Sequence, residues 1–193
     1  MGGRIFDLRM QFKGSGRASA CFGEEGYVLR WYRRCIWCDS AGITVVMPGR
    51  CIRKLVKLAQ TYAPQECGSW LIGKYPDKKT CVILDIAEVP CDSVHGRMTF
   101  SRGVMGFERV GKDFVGEWHT HPGGTHTPSG VDDETMNQIR KRHLSGCASP
   151  IMMILSGAMR GVDNIGVYMY RRDGKKVELE RPKGVKCQRC LQR

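Results

Sequence analysis

A chain of 193 residues with 41% hydrophobic and 26% charged side chains has the size and make-up of one globular domain with a core of its own. No apolar run reaches the ~18 residues of a membrane helix, and the opening residues lack the apolar segment of a secretion signal, so a cytoplasmic protein with no membrane partner is expected. The net charge of +12 does not point to nucleic acid, because half of it sits in residues 171–193, which carry nine basic and three acidic side chains: this is a basic tail, read as a solvated end, on a nearly neutral domain.

Residues 1–42 form an N-terminal extension, expected to be partly ordered. Turn signals at Gly14-Ser15-Gly16 and Gly23 to Gly26 break it, and residues 27–32 suit an edge strand. Cys35 and Cys38 make a C-x-x-C pair, and Cys187 and Cys190 make another. Together they offer a four-cysteine structural zinc, but about 150 residues separate the pairs, far beyond the short spacing that makes such a signature specific. With no secretion signal, most of the ten cysteines read as reduced, buried, small hydrophobes.

Residues 43–47 are a strand that Pro48-Gly49 breaks. Ile52, Leu55, Val56, Ala59 and Tyr62 then recur at helical spacing, and this amphipathic helix ends before Pro64. A strand over residues 65–73 has Glu66 at its mouth, and residues 80–89 suit its hairpin partner. Residues 98–100 suit a short strand and residues 104–110 a helical turn or two. Residues 114–118 are a strand that ends in His119 and His121. After a Gly-rich loop, residues 129–143 read as a helix with Val131, Thr135 and Ile139 on one stripe. Strands follow at residues 150–155 and 165–170, and Asp173-Gly174 turns the chain into a last strand over residues 177–180. This mixture predicts an α/β (α+β) sandwich on a mostly antiparallel sheet, with the domain over residues 43–170 and a hairpin strand and basic tail over 171–193.

His119 and His121, two apart at a strand end, share a face. Asp132 can add an oxygen ligand, and a His, His, Asp set leaves a fourth tetrahedral position open, as catalytic zinc sites do. Each piece also has a plain structural reading. The histidines suit a polar strand end, and Ser129 with Asp132 suits a helix N-terminus. The composite spacing of all the pieces is what favours the metal. Hydrolysis at such a site also needs a proton shuttle. Glu66 is the candidate, otherwise a solvent-exposed acid after Pro64. Glu117 is the competitor, ranked below it on the expectation that it points away from the histidines.

His119-Thr120-His121-Pro122, Ser129-Gly130-Val131-Asp132 and the upstream Glu66 together resemble the JAMM motif of the JAB/MPN-plus metalloproteases, over about residues 43–170. The resemblance implies a curved, mostly antiparallel β-sheet between helices, and one Zn2+ held by His119, His121 and Asp132. It also implies that Glu66 acts as general base and then acid, and that Ser129 helps bind the oxyanion. The implied reaction is hydrolysis of a peptide or isopeptide bond after the C-terminus of ubiquitin or a ubiquitin-like protein. Gly116 to Pro122 is similar to the short prokaryotic JAB proteins, some of which release a conjugated nucleotidyltransferase in antiphage operons. His126 is an extra histidine in the active loop, read as incidental. The short segments at residues 90–112 and 144–149 imply little discrimination between ubiquitin linkages. The alternatives are a JAB peptidase that trims a sulfur-carrier protein, a non-catalytic MPN scaffold, and a nucleic-acid binder working through the tail.

Overall fold

The computed structural model describes residues 34–89, 93–96, 100–101, 111–142, 147–157 and 164–182. The chain divides into Met1–Tyr32 and Arg33–Arg193. The expected edge strand at 27–32, the helical turns at 104–110 and the pair Cys187, Cys190 lie outside the described residues.

The second unit is built on an eight-stranded sheet. Its strands are β1 (Arg34–Cys38), β2 (Thr44–Pro48), β3 (Gly68–Lys74), β4 (Thr80–Ile86), β7 (Phe114–His121), β8 (Ile151–Ser156), β9 (Ile165–Tyr170) and β10 (Lys176–Leu179). They lie in the order β1-β2-β4-β3-β7-β8-β9-β10, and a separate pair joins β5 (Val94–His95) to β6 (Phe100–Ser101). Two α-helices, α1 (Gly49–Tyr62) and α2 (Gly130–Arg142), and a 3-10 turn at Gly111–Asp113 complete the described elements. The sheet is mostly antiparallel. The exceptions are β2 with β4 and β7 with β8, and both parallel pairs are bridged by a helix, since parallel neighbours need a crossover. It also reaches past the expected 43–170 on both sides. β1 buries Cys35 and Trp37, and β10 buries Leu179. Among the described residues no helix is long and apolar enough to cross a membrane.

Period-two alternation sends each strand's side chains to both faces. Ile151, Met153 and Leu155 of β8 join α1's Cys51, Ile52, Leu55 and Ala59 in one core cluster. Met152 and Ile154 join α2's Met136 and Ile139 in the other. The sheet is thus covered by a helix on each face, and burying a side chain such as Met136 or Ile139 contributes about 1.5–3 kcal/mol. Val131, expected on the buried stripe of α2, is 76% exposed. The inner stripe runs one residue further on, through Asp132, Met136 and Ile139, so a carboxylate heads it.

β7 departs from alternation at one point. Val115 and Trp118 are three residues apart, yet both enter the α1-side cluster, while Phe114 enters the other. A register shift against β3 at Leu71/Ile72 opposes Phe114 and Gly116 to successive β3 residues and leaves Val115 over. Such a bulge re-aims the strand beyond it. Gly116 makes it possible. Its φ is +156°, and a Cβ there would lie 1.9 Å from the Ile151 carbonyl oxygen.

The two cysteines of the first C-x-x-C pair sit on β1, where Cys35 is buried and Cys38 is half-exposed. Residues three apart on a strand face opposite ways, so β1 does not present both sulfurs to one zinc. Cys35, Cys51, Cys67, Cys81 and Cys147 are all buried.

Candidate metal centre

Three elements bring the site together. β3 and β7 run antiparallel with Gly68 opposite His119, so the start of one strand lies beside the end of the other. That register carries Glu66, just ahead of β3, to the histidines that close β7. The chain then turns into α2, whose first turn returns Asp132 to the same strand end.

The ligand atoms converge. His119 Nε2 and His121 Nε2 are 3.1 Å apart. Asp132 Oδ1 lies 3.3 Å from His119 Nε2, and Oδ2 lies 3.5 Å from His121 Nε2. Among the described residues this is the group of His, Cys, Asp and Glu side chains set to hold a metal ion. Tetrahedral zinc bonds of about 2.0–2.1 Å place ligand atoms roughly 3.3 Å from one another. The three spacings bracket that value, so the donor set fits such an ion in size and in chemistry.

The helix N-terminus aims Asp132. Ser129 precedes the first turn, its N–H donates to Asp132 Oδ2 at 2.7 Å, and Asp132 N–H donates back to Ser129 Oγ at 3.2 Å. This reciprocal cap satisfies free helix N–H groups and locks the carboxylate toward the histidines. Burial pushes the Asp132 carboxyl up, but hydrogen bonds from His119 and His121 outweigh it and hold the carboxyl far below the usual range. The hydrogen bond to Asp132 raises His121 in turn, with help from the Thr125 carbonyl, which sits 3.0 Å from His121 Nδ1. Ser129 Oγ accepts from Asp132 N–H, which leaves its own hydroxyl hydrogen to donate elsewhere.

Glu66 is half-buried, and desolvation raises its carboxyl above the ordinary 4.5 although His121 and His119 pull it down. Its backbone is pinned on both sides. Its N–H donates to Gly96 O at 2.7 Å, and His95 Nδ1 lies 2.8 Å from its carbonyl oxygen, with the His95 ring stacked on Tyr62 at 4.4 Å.

Glu117 corrects an expectation. It does not point away from the histidines: 117, 119 and 121 alternate onto one face, and Glu117 Oε1 is 4.0 Å from His119 Nδ1. It is 1% exposed, behind His119 rather than facing the open side. Counting i, i+2 from His119 finds this in the sequence. Thr120, by contrast, gives no such sign. It turns to the other face, where its Oγ1 accepts from Cys67 N–H at 3.0 Å and its N–H donates to Cys67 O at 2.9 Å, clasping β7 to the turn that carries Glu66. His126 packs against Gly166 of β9.

A family model described as prokaryotic homologs of the JAB domain matches residues 48–165. The chain belongs to the prokaryotic JAB family. A CD-NTase/cGAS isopeptidase of Enterobacter hormaechei subsp. hoffmannii is 34% identical to this JAB chain over 149 residues, which cover 73% of this chain and 83% of that protein. The solution structure of a Desulfitobacterium hafniense protein overlays with a TM-score of 0.51 at 19% identity, covering 69% of this chain and 88% of the other, which supports the fold. A JAB1/MPN domain protein of Archaeoglobus fulgidus matches at 17% identity and a TM-score of 0.39, over 69% of this chain and 95% of that one.

Proposed function

We propose that this JAB protein is a zinc-dependent isopeptidase that hydrolyses the bond joining the C-terminus of a ubiquitin-like or similarly conjugated protein to its target. The observation that carries the reading is the convergence of His119, His121 and Asp132 at ligand spacing, 3.1–3.5 Å, beside a carboxylate whose affinity for protons is raised. The Enterobacter relative is named a CD-NTase/cGAS isopeptidase. A conjugated nucleotidyltransferase is therefore the first substrate to try, and a role in antiviral defence is part of the same proposal.

The residues divide the work. His119, His121 and Asp132 would hold the ion. The chemistry zinc supplies when bound is activation of water near neutral pH and polarisation of the scissile carbonyl. Glu66 takes the proton from the attacking water and returns it to the leaving amine. A carboxyl raised by burial suits both halves of that shuttle, because it ionises closer to neutrality. Ser129, with its hydroxyl hydrogen uncommitted to the cap, donates to the developing oxyanion, a contact whose loss typically costs about 10²–10³ in rate.

The test measures zinc per chain in the purified protein and in a His119→Ala, His121→Ala double variant, together with cleavage of a conjugated nucleotidyltransferase. One zinc in the wild type, lost in the variant together with cleavage, is expected. A wild-type protein that takes up no zinc when supplied with it overturns the reading. Zinc binding without cleavage, with function in cells unchanged by Glu66→Gln, would leave a scaffold that happens to bind metal.

A further inference from the structure

Glu117 occupies an expensive position. It lies in the middle of the sheet, with Trp70 opposite it on β3 and Met152 opposite it on β8, and both neighbours belong to the α2-side core. An apolar side chain would suit that place. An acid buried there destabilises the fold by several kcal/mol unless a positive or hydrogen-bonding group matches it.

One group placed to meet it is His119. Its Nε2 faces His121 and Asp132, while its Nδ1 is buried and makes no hydrogen bond. Glu117 Oε1 is 4.0 Å from that Nδ1, about 1 Å beyond hydrogen-bond range, a gap that a tilt of either side chain closes. An imidazole that gives Nε2 to a metal carries its proton on Nδ1, and ligand histidines donate that N–H to an acceptor that fixes the ring and raises its basicity. His121 has one in the Thr125 carbonyl.

We propose that Glu117 is a positioning residue of the metal centre, the outer acceptor that orients His119 and strengthens its hold on the ion. The two imidazoles then differ in kind. His121 is backed by a neutral carbonyl and His119 by an anion, so His119 is the stronger donor. Burial behind His119 also removes Glu117 from the substrate and leaves proton transfer to Glu66. The bulge at Gly116 is what brings the acid to this face. The inference rests on the metal reading above.

The test is zinc affinity by chelator competition in the full chain, for wild type, Glu117→Gln and Glu117→Leu, beside the melting temperature of each metal-free protein. Both variants are expected to bind zinc about 10- to 100-fold more weakly, Leu more so than Gln, with the metal-free melting temperature of Gln, which keeps the shape and hydrogen-bonding capacity of Glu117, close to the wild type. Gln decides alone if Leu fails to fold. Affinities within about twofold of wild type overturn the proposal. So does a loss of affinity accompanied by a lower metal-free melting temperature, which marks a packing defect. Failure of the wild type to bind zinc sinks the metal reading and this proposal together, whereas wild-type binding with unchanged variants sinks this one alone.

Discussion

Thr120→Val tests whether the clasp between β7 and the Glu66 turn matters to both stability and chemistry. Valine has nearly the shape of threonine, so packing is kept and the hydroxyl alone is lost. Thr120 and Cys67 are both fully buried, and the Cys67 N–H donates to Thr120 Oγ1 at 3.0 Å. Without that oxygen the N–H is stranded in the core, which costs about 1–3 kcal/mol. For a domain of this size each kcal/mol lowers Tm by about 2–4 °C, so a fall of roughly 2–12 °C is expected by calorimetry. Thr120→Ser keeps the oxygen and should keep most of the stability. Cys67 adjoins Glu66, so relaxing the turn also shifts the carboxylate, and misplacement by about 1 Å can lower kcat as much as 10²-fold. Zinc content should not change, because Thr120 faces away from the ligands. A valine variant as stable as wild type, or a serine variant as damaged as valine, would refute the reasoning.

Three further outcomes follow, two at Glu66 and one at Gly116. Glu66 must be ionised to accept a proton, so the acid limb of kcat/KM should have an apparent pKa above the ordinary 4.5, and Glu66→Gln should abolish activity along with that limb. The same shift has a stability sign. A carboxyl raised by folding favours the folded state at low pH, and that contribution is lost as pH rises through the folded pKa. Glu66→Gln should therefore raise the metal-free Tm near neutrality and leave it unchanged below the ordinary carboxylate range. Gly116→Ala would drive a Cβ to 1.9 Å from the Ile151 carbonyl oxygen. It should cost ~3 kcal/mol or more and uncouple β7 from β8, seen as lost solubility or as a folded protein that no longer binds zinc. A soluble variant with wild-type zinc content would show that the bulge is dispensable.

Much of this was readable from residue order, and what was not has physical causes. α1 carries a strong helical period, and β2, β7, β8 and β9 are short apolar or β-rich runs bounded by turn residues, so these elements were legible. β1 was hidden because Arg34-Cys35-Ile36-Trp37-Cys38 is short and its cysteines suggest a metal knuckle, while the strand turns those sulfurs to opposite faces. The parallel pairing of β2 with β4 and of β7 with β8 has no local signature, since it depends on which side each helix crosses. The bulge at Gly116 is a tertiary event that shows only when Val115 and Trp118 are found in one cluster. The clasp between Thr120 and Cys67 links residues 53 apart, and only the strand register brings them together.

The plain and the catalytic readings of Ser129 and Asp132 turn out to describe the same atoms. As a helix cap, Ser129 and Asp132 exchange hydrogen bonds across the first turn of α2. As a ligand, Asp132 needs its carboxylate held still, and the cap holds it by Oδ2 while Oδ1 faces His119. The rotated stripe of α2 has the same origin. With Met136 and Ile139 packed on the sheet, Asp132 sits one turn ahead on the same face, where the sheet presents His119 and His121 instead of an apolar side chain. Hydrophobicity alone picks Val131 for that face, because it gives no weight to a carboxylate that fills a core position by binding histidine ligands. The helix that closes one side of the core is in this way also the arm that closes the metal centre. Loss of the cap should be felt at the ligands before it is felt in the fold.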